Sequence, residues 1–180
     1  MEHIISACLL SAKEQYVQRH DIVCVQLHFN LCKEIGVKLR NKHWYDHVPK
    51  SVETSHQGKV AILWNKQLRS DRTVSNNKPD IIIRDKIQGT CVLINAAIPG
   101  DRNMIKNEAE KILKYKDLII EIQRMWNVKS KVIAVITGAT GTISKSLRQY
   151  LSNIPGKHEI KELQKTATLG TAHILRKVLL

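Results

Sequence analysis

The sequence predicts an α/β fold: a mixed β-sheet flanked by helices and preceded by a long N-terminal helix. Three observations carry this reading. Apolar residues recur every three or four positions between Ser11 and Ile35, the period of a helix. Beyond Lys59, short β-branched runs alternate with turn signals and with further helical stretches. Of 180 residues, 43% are apolar and 25% charged, which is globular composition.

Each element has its own signal. Ser11 and Glu14 stand at capping-box distance, Gly36 supplies a stop, and Tyr16, Val23, Leu27, Leu31 and Ile35 form the stripe between them. Residues 37–58 read as irregular, with the cluster His43-Trp44-Tyr45-Asp46-His47 ahead of Pro49 and Gly58. Strands are expected at Val60–Leu68, Pro79–Arg84 and Thr90–Ile98, the last two joined as a hairpin by a turn at Gln88-Gly89. A helix follows over Asp101–Lys116, with Ile105, Ala109, Ile112 and Leu113 on one side. Leu118–Met125 and Lys131–Thr137 read as two more strands. After a turn at Gly138–Gly141, helices are expected over Thr142–Ser152 and Ile160–Leu180.

The charge narrows the partners. Lys and Arg number 29 against 16 Asp and Glu, a net +13, and both parts of the chain share the excess: 14 against 9 in residues 1–100, 15 against 7 in 101–180. A basic field over a folded domain favours a polyanion, most simply nucleic acid, and a generally lysine-rich surface is the plainer alternative. No run of eighteen apolar residues is present, so no membrane span is expected. The acidic start Met1-Glu2 is unlike a secretion signal, which points to the nucleus, or the cytoplasm before import. Cys8, Cys24, Cys32 and Cys91 are accordingly expected as thiols.

The stretch richest in chemistry is Pro79-Asp80, fourteen residues, then Asn95-Ala96-Ala97. Two acidic side chains about fifteen residues apart across a hairpin can converge on one divalent ion, because Mg²⁺ prefers hard anionic oxygens. A nearby lysine can then hold the attacking water and offset charge on phosphorus. Here the second acid is Asn95, and Ala97 stands where that arrangement has its lysine.

Longer words surround this pattern: Asn41-Lys42-His43-Trp44-Tyr45, Lys78-Pro79-Asp80-Ile81-Ile82, Leu93-Ile94-Asn95-Ala96-Ala97-Ile98-Pro99-Gly100-Asp101 and Glu110-Lys111-Ile112-Leu113-Lys114-Tyr115. From His3 to Lys177 the chain resembles the C-terminal region of non-LTR retrotransposon (LINE) polyproteins, which carry a restriction-like PD-(D/E)xK endonuclease after the reverse transcriptase. The resemblance implies a remnant of a CCHC zinc knuckle over residues 1–10, a linker helix and loop over 11–58 and a restriction-endonuclease-like domain over 59–180. It further implies target-DNA nicking with Mg²⁺ or Mn²⁺, with double-stranded DNA and the element's RNA as partners. The family's second strand reads Ile-Asp-Val where this chain has Ile94-Asn95-Ala96, and its catalytic lysine lies in a Lys-x-x-Lys-Tyr pattern that falls on Lys111, Lys114 and Tyr115. Asp80 is then the metal ligand and Asn95 a poor second one, so cleavage is expected to be weak or absent. The alternative is a non-catalytic nucleic-acid-binding remnant.

Other motifs are weaker. His3 and Cys8 form H-x4-C, the closing half of the zinc knuckle; the family's C-x2-C pair would lie upstream, and two ligands do not close a zinc site, so Zn²⁺ is not expected there. His20, Cys24, His28 and Cys32 fall on one helical ridge. A straight row cannot surround an ion, although an i, i+4 pair can bind with help from elsewhere, and packing is the expected role. Gly138-Ala139-Thr140-Gly141 lacks the lysine of a phosphate loop, because Thr142 occupies its place; a strand-to-helix turn is expected, with one DNA phosphate contact as the alternative. Trp44, Tyr45, Trp64 and Trp126 lie near basic residues and can either stack on unpaired bases or pack.

Overall fold

The structure, a computed structural model, describes residues 12–40, 42–99 and 103–137. The zinc half-site His3 and Cys8, the Gly138–Gly141 turn and the two C-terminal helices expected from sequence lie outside the described residues.

Helix α1 covers Ala12–Ile35. It ends at Gly36, whose φ of +75° only glycine adopts without strain, and the Val37 N–H closes the last turn on the Cys32 carbonyl at 2.9 Å. Next come a 3-10 turn, Trp44–Asp46, and four strands: β1 Val52–Thr54, β2 Val60–Trp64, β3 Ile81–Asp85 and β4 Thr90–Ala97. Helices α2, Met104–Lys114, and α3, Lys116–Trp126, lead to β5, Lys129–Ile136.

The five strands form one mixed sheet in the order β1-β2-β3-β4-β5. The first four run antiparallel in succession. Strand β5 lies parallel to β4, since Lys129 N–H bonds Gly89 O and Thr137 N–H bonds Ala97 O, the same offset at both ends. A parallel pair needs a crossover, and α2 and α3 provide it. With a neighbour on each side, β4 is buried without interruption from Leu93 to Ala97, as its apolar run Cys91–Ile94 foretells.

The β3–β4 hairpin fixes the register that the site depends on. Asp85 turns the chain by accepting the N–H groups of Ile87 and Gln88 on Oδ1 at 2.8 and 2.9 Å, and Gly89 takes φ +60°. Asp85 thereby pairs with Thr90, and every later pair follows to Ile81 opposite Ile94. One step further along the same ladder, Asp80 faces Asn95.

Chain contacts define two compact units: Val25–Asn95 with Glu110–Ile133 is the first, and the remaining described residues belong to the second. In the first, alternation along the strands puts Leu63, Ile82, Cys91 and Leu93 on one sheet face, where Tyr115, Leu118, Ile122 and Leu68 complete a buried cluster. The opposite face carries Glu53, Ile62, Trp64, Ile81 and Ile94, and His28 of α1 meets the Trp64 ring edge-on at 5.2 Å. In the second unit, Ala97, Met104, Ala134 and Ile136 pack together.

Three sequence expectations need correction. Leu118–Met125 is helix, not strand: the buried residues Leu118 and Ile122 are one turn apart, while Ile120 between them is exposed. Residues 37–58 are not wholly irregular, because Val52–Thr54 forms an edge strand. Strand β2 stops at Trp64 rather than Leu68, since Asn65 at φ 47° turns the chain out of the sheet. In α2 the apolar side is the outer one, with Ile105 84% and Leu113 67% exposed, whereas Lys111 is half-buried and Tyr115, just past the helix end, is buried.

Candidate functional site

Strand register, hairpin length and the α2–α3 junction bring three of the expected residues into contact. Asn95 is 4% exposed and spends both amide hydrogens: Nδ2 donates to Asp80 Oδ2 at 2.9 Å and to the Tyr115 hydroxyl oxygen at 3.1 Å. The Tyr115 hydroxyl in turn donates to the Lys78 carbonyl at 3.2 Å. The other end of the amide, Asn95 Oδ1, is buried without a hydrogen-bond partner. An amide facing an ionised carboxylate must offer its N–H₂ end, so the orientation follows from Asp80.

Tyr115 sits between α2 and α3, and its ring is 1% exposed. Burial pushes its phenol up to about 12; the Asp80 charge adds to the rise, and the Asn95 hydrogen bond opposes it. Lys114 places Nζ 5.3 Å from the Tyr115 ring centre, a cation–π contact. Lys111 stands one helical turn before Tyr115 and is half-buried. Asp80, Asn95 and Tyr115 therefore form one hydrogen-bonded chain with Lys114 against its ring, and Lys111 flanks it along α2.

Mg²⁺ wants two anionic oxygens and gets one here. As placed, Asn95 directs a donor hydrogen into the Asp80 oxygen that would share an ion with it, which occupies that lone pair and repels a cation. The pair does not fit a divalent ion held by both residues, and no reaction step is derived through one.

A second cluster lies on the opposite face of the sheet. His28 Nδ1 and His47 Nε2 are 2.9 Å apart, and Cys32 Sγ is 3.6 Å from His28 Nδ1. The His28 and His47 rings stack at 5.1 Å, and Phe29 meets His47 edge-on at 5.4 Å. Burial lowers His28 to about 4, helped by His47, and burial lowers His47 as well; burial raises Cys32 to about 12, and the Glu53 carboxylate pushes the same way. Sequence reading placed His28 and Cys32 on a packed ridge and His47 in a loop. The signal that could have joined them was the i, i+4 His–Cys pair, but its partner fifteen residues on is brought close only by tertiary packing. Of the aromatic residues, Trp126 lies under Arg84 at 4.3 Å and Trp64 packs on His28, while Tyr45 is exposed and stacks on His43 at 5.0 Å.

Cys24, Cys32 and Cys91 are buried and lie outside any disulfide, and among the described residues no helix is long and apolar enough to cross a membrane. In comparison with known proteins, no family model matches the chain and no curated protein matches it significantly.

Proposed function

We propose that this chain is a restriction-endonuclease-like domain of a non-LTR retrotransposon protein that binds nucleic acid in the nucleus and has lost most or all of its cleavage. The single observation that carries the reading is the contact between Asp80 and Asn95. Hairpin register sets the two side chains face to face, close enough for two ligands of one ion, and the amide meets the carboxylate as a donor rather than as a second anion. The proximity supports a nuclease ancestry, and the chemistry of the pair supports its disablement. Lys114, 5.3 Å from the Tyr115 ring centre, supports the reading as a cation close to the pair. The same amide favours the closely related reading of a non-catalytic binding remnant that retains the +13 charge.

Nicking of supercoiled plasmid with Mg²⁺ or Mn²⁺ tests the proposal on three versions: the native chain, Asn95→Asp, and Asn95→Asp with Asp80→Ala. The native chain is expected to nick weakly or not at all, Asn95→Asp to gain at least tenfold, and the double variant to lose that gain. Strong native nicking would refute the disabled site. Silence from all three folded proteins would refute the catalytic mapping and leave binding alone.

A further inference from the structure

We propose that His28, Cys32 and His47 form a transition-metal site, with Zn²⁺ the ion that its donors select, clipping the second half of α1 to the segment before β1. This goes beyond the nuclease reading and is independent of it: the three residues lie on the other face of the sheet, and none is a residue of the Asp80 cluster.

The geometry is the main argument. One ligand atom from each residue lies within 4.8 Å of the others, and all three residues are buried, at 0%, 0% and 9% exposure. Zinc bonds of about 2.0–2.1 Å to nitrogen and 2.3 Å to sulfur, spread tetrahedrally, set neighbouring N and S atoms about 3.6 Å apart and two N atoms about 3.3 Å apart. The observed Cys32 Sγ to His28 Nδ1 distance is 3.6 Å, and the His28 Nδ1 to His47 Nε2 distance is 2.9 Å. Binding therefore asks the two rings to part by a few tenths of an ångström and leaves the i, i+4 pair as it stands.

Donor chemistry names the metal class. Two imidazoles and a thiol suit zinc and exclude Mg²⁺, which takes oxygen. The fold supplies access as well as ligands. A cleft of about 390 Å³, lined by His47 and Glu53 together with Lys38, Arg40 and Lys50, reaches His47 from outside. Glu53 lies outside the three-ligand set, but it points inward from the edge strand close enough to act on both Cys32 and His47, where its charge offsets that of an ion.

The chemistry balances without an oxidant. Cys32 exchanges its S–H bond for an S–Zn bond and releases one proton to solvent. The proton shared between His28 Nδ1 and His47 Nε2 moves to the far nitrogen of its ring, which frees both lone pairs.

The test uses the 180-residue chain, stripped of metal and titrated with Co²⁺ and then Zn²⁺. One equivalent of Co²⁺ is expected to bind with tetrahedral d–d absorption and a thiolate-to-cobalt charge-transfer band, and Zn²⁺ is expected to displace it and raise Tm. Cys32→Ala should abolish the charge-transfer band, and His47→Gln should weaken binding by at least about 100-fold. Cys8→Ala and Cys24→Ala should leave both unchanged. Far-UV circular dichroism of the metal-free variants separates lost binding from lost folding, and His47→Gln is the gentler of the two because its side chain sits at the cleft. Absence of the band from folded native protein, its survival in Cys32→Ala, or its loss in Cys8→Ala would each overturn the proposal.

Discussion

Tyr115 joins the candidate site to the core. Its ring fills the space between Cys91, Leu93 and Leu118, and its hydroxyl links the Asn95 amide to the Lys78 carbonyl. Removing only that oxygen, with Tyr115→Phe, leaves one Asn95 hydrogen and the Lys78 carbonyl unpaired; a loss of about 1–2 kcal/mol in denaturant unfolding at neutral pH is expected. The phenol also makes stability depend on alkaline pH. Its folded pKa is raised from 10.0 to about 12, so the folded state holds the proton more tightly than the unfolded chain. The contribution is fully present below pH 10 and is lost as pH climbs through 12; Tyr115→Phe should remove that part of the alkaline loss. A tyrosinate absorbance titration of the native chain, minus that of Tyr115→Phe, isolates the residue. A midpoint near 10 in the difference curve would mean that the phenol is wet and the hydrogen-bonded chain is not formed. Asp80 and Asn95 were legible in sequence because a tight hairpin converts residue spacing into cross-strand pairing. The hydrogen bond from Asn95 to Tyr115 was not, since it depends on where two helices meet.

At the scale of elements, α3 shows why one pattern misled. Leu118-Ile119-Ile120 is an apolar run with two β-branched residues, which on local preference suits a strand. Burial selects instead Tyr115, Leu118 and Ile122, a spacing of three and four that only a helix provides, and Arg124 then reaches Glu121 at 2.9 Å across one turn. Periodicity decided wrongly for these 11 residues, where two periods overlap. Strand β1 was missed for a related reason: three residues are too few to show alternation, and its inward residue is the charged Glu53. The end of α3 gives the test. Asn127 closes it with φ 48° and ψ 49°, a left-handed conformation that Gly and Asn tolerate and β-branched residues resist. Asn127→Gly should leave thermal stability within a few tenths of a kcal/mol, and Asn127→Val should lower it by about 1–2 kcal/mol. Equal stability of the two variants would mean that the chain leaves α3 by another route and that the crossover into β5 is not held at this turn.

Across the whole molecule the charge is the property most directly readable from sequence, and what it does depends on the fold. A net +13 on a flexible tail would act at a distance, whereas here basic residues recur along the folded elements, among them Lys78 before β3, Lys111 and Lys114 on α2 and Lys116 at the start of α3. If these residues meet a duplex, each phosphate neutralised releases counterions, so the logarithm of the affinity falls linearly with that of salt, at a slope of about −0.9 per contact. Fluorescence anisotropy of labelled duplex DNA, without divalent metal, is expected to give a slope steeper than about −4 and at least a 100-fold loss of affinity between 50 and 200 mM salt. Lys114→Gln should then reduce the slope by about one on every duplex tested, the signature of a phosphate contact rather than a base contact. Binding that persists unchanged into high salt would mean that the basic field is an ordinary soluble surface, and the proposed partner would fall with it. Steep salt dependence together with metal-independent binding would instead locate nucleic-acid binding in the charge distribution, which does not depend on the amide at residue 95.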